Sequence, residues 1–257
     1  MNRILFSIIG LLVAVSIVKA QQSTAAGETS VSRLPDEIVE AFLKTEREVR
    51  EQLNQHTFKR DVVLQTIGPT GEVTGEYIRN SQFLFDDQGN RIERVTFHPP
   101  STIREMRITK EDIQDLAGAQ LLGIDISEIS KYRLTYVAAE TLEGKRVYVL
   151  LVEPAVGPDP HHMRERFFVG RLWVDANTFQ LLKIKGLVQP QGKQRFPVFE
   201  TWREPVAGTL NLPTRTEADD TLRFPKRNVN YRIRVRYYDY KLFASKLKIT
   251  EIDEPSN

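Results

Sequence analysis

The hydrophobic positions of the chain change period several times, and each change marks an element. After a polar stretch, Ile38, Ala41, Phe42, Val49 and Leu53 fall on one stripe of a helix. Pro35 suits its first position, and Asp36 and Glu37 favour the positive end of its dipole. From His56 the spacing becomes alternating, which predicts strands. Phe58 to Ile67 alternates, Gly68-Pro69-Thr70-Gly71 turns the chain, Tyr77 to Phe85 alternates again, and Asp86 to Asn90 turns into Arg91 to Phe97. A second helix is predicted from Thr109 as N-cap through Ile113, Leu116, Ala117 and Leu121, with Gly123 to end it.

Strands resume at Tyr132 to Val137 and, after Glu143-Gly144, at Arg146 to Val152; Gly157 to Arg166 reads as a polar loop. The last third predicts strands at Phe167 to Val174, Phe179 to Val188, Phe196 to Arg203, Thr214 to Asp219 and Val229 to Tyr240. Short turns between neighbours imply antiparallel pairing, and no helical crossover separates the strands. The pattern therefore predicts one α+β domain over residues 34 to 257, a large antiparallel sheet of about ten strands. Accumulated twist should curl such a sheet into a half barrel, with the helices packed on its concave face around a groove or cavity.

Residues 1 to 33 change the picture. Met1 to Arg3 is a short positive start, Ile4 to Val18 is an apolar run, and Val18-Lys19-Ala20 offers small residues where a signal peptidase cuts. The expectation is a signal peptide over 1 to 20, a flexible linker over 21 to 33, and a protein exported to the periplasm. Removing residues 1 to 20 deletes Arg3 and Lys19 and leaves 34 basic against 34 acidic residues, so no global charge favours nucleic acid. The chain has no cysteine, which excludes disulfides, thiolate nucleophiles and cysteine-based metal sites.

Candidate chemistry is sparse. Asp175-Ala-Asn177-Thr178 lies between two strands and suits a turn rather than a catalytic centre. His161-His162 needs a third ligand that the flanking prolines make hard to supply, and Asp86-Asp87-Gln88-Gly89-Asn90 lacks the glutamate that closes a calcium loop. No metal and no cofactor is expected. In the final strand Tyr231, Ile233, Val235 and Tyr237 alternate with Arg232, Arg234 and Arg236, giving one apolar and one guanidinium face. The arginines read as a solvated face opposed by acids such as Glu217 and Asp219, or as a patch for anionic headgroups or a protein partner. Phe83, Phe85, Trp173, Phe179, Phe199 and Trp202, with Tyr231, Ile233, Val235 and Tyr237, are the candidate lining of an apolar binding wall; each is also a candidate core residue.

The segments "GRLWVDANTFQLLKI", "LNLPTRTEADD" and "RVRYYDYKLF", following a signal-like start, an N-terminal helix and a meander, resemble the periplasmic lipoprotein carrier and outer-membrane lipoprotein-sorting superfamily (LolA-like fold). The resemblance implies a half-barrel sheet with helices as a lid and an enclosed apolar cavity for acyl chains. It implies a non-enzymatic protein whose partners are a lipid or acylated protein and envelope membrane proteins. Extra length around 98 to 130 and 153 to 166 departs from the typical carrier. The other reading is a periplasmic interaction or envelope-sensor module with a filled core.

Overall fold

The computed structural model describes residues 34–109, 126–157, 167–189, 197–206, 208, 210–224 and 227–243. The expected signal peptide and linker, most of the second helix, and His161-His162 lie outside the described residues. Helix α1 spans Pro35–Leu53 and a short 3-10 turn spans Ile126–Lys131. The strands are β1 His56–Ile67, β2 Val73–Phe85, β3 Arg91–Phe97, β4 Tyr132–Leu142, β5 Lys145–Pro154, β6 Phe167–Asp175, β7 Leu181–Gln189, β8 Phe199–Val206, β9 Leu210–Phe224 and β10 Arg227–Leu242. No described helix is long and apolar enough to cross a membrane.

All ten strands form one antiparallel sheet in the order β3-β2-β1-β10-β9-β8-β7-β6-β5-β4. Each strand pairs with its neighbour in sequence except β3 with β4, and β1 pairs with β10 from His56↔Leu242 to Ile67↔Asn230. The topology is a ten-membered up-and-down ring cut once, between β3 and β4. Sequence-adjacent strands thus stand at opposite edges.

One face of the sheet carries the main core. It joins Phe58, Val62 and Leu64 of β1, Tyr77 of β2, Tyr148 and Leu150 of β5, Phe168 and Leu172 of β6, Ile184 of β7 and Phe199 of β8 to the strip Val229, Tyr231, Ile233, Val235 and Tyr237 of β10. Ile38 and Phe42 of α1 enter the same cluster, while Val49 and Leu53 pack on Leu212 of β9. Alternation sends the remaining side chains to the opposite face.

Two local features depart from the sequence reading. β9 starts at Leu210, earlier than its pattern suggests, because Pro213 interrupts it. Pro213 sits opposite Arg203 at a register shift, where a missing N–H costs the ladder little. Phe179 lies outside β7, in the turn after β6. Its φ is 57°, it donates its N–H to the Asp175 carbonyl at 2.9 Å, and its side chain still reaches the core. Asp175 makes this turn: its Oδ1 accepts the N–H groups of Asn177 at 2.8 Å and Thr178 at 3.0 Å.

Between β9 and β10 the sheet forks. Their pairing stops at Arg236↔Arg215, after which β9 stays with β8 and β10 with β1. Tyr240 bridges the fork, its hydroxyl donating to the Pro213 carbonyl at 2.7 Å while its ring touches both core clusters.

Candidate binding face

The core face is not uniformly apolar. The buried stripe of α1 reads Ile38, Phe42, Glu46, Val49, Leu53, so a glutamate occupies one of its inward positions. Glu46 meets Arg203 of β8 in a bidentate pair, Nη1 to Oε2 at 2.8 Å and Nη2 to Oε1 at 2.9 Å, with the residues 4% and 3% exposed. Such fork-to-fork geometry is what makes a buried pair tolerable. The C-terminus of α1 is tied separately: Arg91 of β3 donates to the carbonyls of Leu53 at 2.5 Å and His56 at 2.9 Å, a cation at the negative end of the helix dipole. Burial lowers the Arg91 pKa from its ordinary value.

A second polar group lies on β1, β2 and β3. Arg60 alternates with Phe58 and Val62 on the core side of β1 and is 1% exposed. Its Nη2 donates to Glu93 Oε1 at 3.0 Å; Arg79 donates Nε to Oε1 at 3.1 Å and Nη2 to Oε2 at 3.0 Å; Ser81 donates to Oε1 at 2.5 Å. Burial pushes the Glu93 carboxyl up, but the hydrogen bonds from Arg79 and Ser81 and the charges of Arg60 and Arg79 outweigh it and hold it below the usual range. The Arg60 guanidinium lies 4.8 Å from the centre of the Phe83 ring, which stacks on Phe58 at 4.5 Å. From there a row of hydroxyls crosses the sheet: Tyr237 to Thr216 at 3.3 Å and Thr216 to Thr201 at 2.8 Å. Burial raises the pKa of Tyr237 and of Tyr77.

The aromatic and apolar residues expected to form a binding wall separate into two groups. Phe199, Tyr231, Ile233, Val235 and Tyr237 belong to the buried core, Phe179 joins them from its turn, and Phe83 packs against them half-buried. Phe85 shares the Phe83 side of β2, with the Arg91 guanidinium 5.3 Å from its ring centre and Phe243 at 4.7 Å. Trp173 and Trp202 lie on the other face. Trp173 sits between Leu172 and Val174, both in the core, so alternation turns it away from them. Lys183 stands between the two indoles, 5.2 Å from Trp173 and 4.6 Å from Trp202, and Arg215 covers Trp202 at 4.6 Å. The Trp173 Nε1 donates to Glu140 at 3.1 Å.

Arg232, Arg234 and Arg236 also point away from the core, where acids meet them. Asp219 takes Arg232 at 3.0 Å and Arg234 at 2.5 Å, and Asp61 takes Arg236 at 3.4 Å. Glu46, Arg203, Arg60 and Glu93 were missed by the sequence reading. The signal for Glu46 was present, since the stripe leaves its place between Phe42 and Val49 to a charge. The others are buried charges in alternating strands, where the partner is known only after pairing.

Two recesses bear on this face. One, of about 390 Å³, is lined by Tyr77, His98, Ser101, Ile103, Met106, Arg107 and Ile108, where the chain after β3 folds back over β2. That return is close: a methyl group on Gly75 would stand 2.7 Å from Ile103 Cα, and Thr102 donates its N–H to the Glu76 carbonyl at 2.9 Å. The other, of about 500 Å³, opens at the fork between Glu204, Thr214, Arg215, Arg236 and Tyr238. No group of three histidines and carboxylates able to hold a metal occurs among the described residues.

No protein-family model and no curated protein sequence matches the chain. Among solved structures, the chain is similar to a LolA superfamily protein, NE2245 from Nitrosomonas europaea, at 14% identity over 82% of this chain and 94% of that one, with a TM-score of 0.38. It is similar to a DUF1329 family protein from Desulfovibrio piger at 12% identity over 80% and 94%, with a TM-score of 0.37. It is also similar to the Pseudomonas aeruginosa MucA/MucB complex at 13% identity over 79% and 93%, with a TM-score of 0.22.

Proposed function

We propose that the chain is a non-enzymatic binding protein of the periplasm that holds an apolar, acyl-type ligand against the core face of a curved sheet, under α1. The observation that carries this reading is the ring cut once, between β3 and β4, with an apolar face covered by a helix that an ion pair helps to hold. A closed ring would seal that face, whereas a cut ring lets α1 move and a hydrocarbon take the place of Ile38 and Phe42. Phe199, Tyr231, Ile233, Val235 and Tyr237 would then line the ligand. Each buried methylene contributes about 0.8 kcal/mol, enough for a long chain to displace a few helical side chains. The test is organic-solvent extraction of the purified, folded protein followed by mass spectrometry. Co-purifying lipid supports the reading; a protein that carries none and takes up none from vesicles refutes it.

A second reading rests on β3. This edge strand exposes Ile92, Val95 and Phe97, and an unpaired edge with apolar side chains is a template for an extended segment of a partner. In that case the protein is an envelope interaction or sensor module. A stable partner complex abolished by Val95→Lys, with no lipid in the extract, is its signature.

A further inference from the structure

Resting on the acyl-ligand reading, the geometry points to a head-group site inside the sheet: we infer that the ligand is an anionic amphiphile whose acid group is taken by Arg60, assisted by Arg79 and Tyr77. Three observations converge on this place. The first is charge. Arg60 and Arg79 share one carboxylate, Glu93, whose Oε1 already accepts from Arg60, Arg79 and Ser81, so the cluster keeps one uncompensated positive charge among the described residues. A buried guanidinium without its own counter-ion is costly unless something else supplies the anion.

The second is unused hydrogen-bonding capacity. Among the described residues the Nε of Arg60, itself 1% exposed, has no hydrogen-bond partner, and the buried Tyr77 hydroxyl has the Arg79 side chain beside it and no well-formed bond. A guanidinium gives two parallel bonds to a carboxylate or phosphate, and Arg60 spends only Nη2 on Glu93. The third is access and surroundings. Tyr77 belongs both to this cluster, where the charges of Arg79, Glu93 and Arg60 act on its hydroxyl, and to the recess lined by Ile103, Met106 and Ile108. A ligand entering there passes Ile103, Met106 and Ile108 together with the polar His98, Ser101 and Arg107, and meets Arg60 with its head, the Phe83 ring lying under the guanidinium. Arg91, by contrast, is committed to the end of α1.

The experiment is calorimetric titration of the full chain with palmitate, hexadecyl phosphate and hexadecanol below their aggregation limits, and with inorganic phosphate alone. The expected result is that palmitate, hexadecyl phosphate or both bind at least about tenfold more tightly than hexadecanol. Which of the two acids is preferred identifies the head group. Arg60→Met is expected to erase that preference, bringing the acids down to the affinity that the same variant shows for hexadecanol, and Arg79→Gln to reduce it. Equal binding of all three amphiphiles overturns the inference and leaves the acyl-ligand reading standing. Inorganic phosphate binding as tightly as hexadecyl phosphate overturns it as well, since the tail then plays no part. If none of the amphiphiles binds, both readings fall. The head-group comparison in the unmodified protein decides the matter even where Arg60→Met does not fold.

Discussion

Glu46 stands where the apolar stripe of α1 has room for a leucine, and among the described residues its counter-charge is Arg203 beneath it. Removing one member strands the other in a dry place. Glu46→Ala is expected to destabilise the chain by about 3–5 kcal/mol in urea denaturation, whereas Glu46→Leu with Arg203→Met should stay within about 1 kcal/mol of the parent. A double variant as damaged as the single one would contradict the view that the cost is the unpaired charge. Glu93 gives a pH signature. Its folded carboxyl titrates below its ordinary value, so it adds stability above that value and loses it as pH falls through the folded one. The denaturation midpoint is expected to drop below about pH 4.3, and Glu93→Gln to flatten that drop.

At the scale of elements, β6 and β7 meet through Gly170↔Gly186, with the Phe168 ring laid over both. A methyl group on Gly186 would stand 2.3 Å from the Val169 carbonyl and 2.6 Å from that ring. Gly186→Ala is therefore expected to cost about 1–3 kcal/mol by overpacking, read as a lower thermal midpoint. Strand existence was legible where alternation leaves its mark, most clearly in β10: Tyr231, Ile233, Val235 and Tyr237 face one way and Arg232, Arg234 and Arg236 the other, as their spacing says. What alternation does not reveal is which of its two faces is buried where both carry large side chains. Trp173 and Trp202 went to the outer side because Leu172 and Val174, and Thr201 and Arg203, took the inner one. Nor does it reveal partners. Arg60 and Glu93 are 33 residues apart, and Glu46 and Arg203 are 157 apart.

At the scale of the molecule, one junction holds the ring together: β1 and β10, whose first and last paired residues are His56 and Leu242. Nearly the whole chain must exist before that junction can form, and such distant pairing slows folding. The sheet's natural ends are instead β3 and β4, side by side in sequence and unpaired in space. A circular permutant opened between Phe97 and Tyr132, with the old termini joined by a flexible linker, would keep every pairing and make β10 and β1 successive strands as well, with α1 between them. Its strands would then run in the order in which they lie, and stopped-flow refolding should be faster than that of the parent. Chain order, in other words, enters this sheet in its middle rather than at its rim.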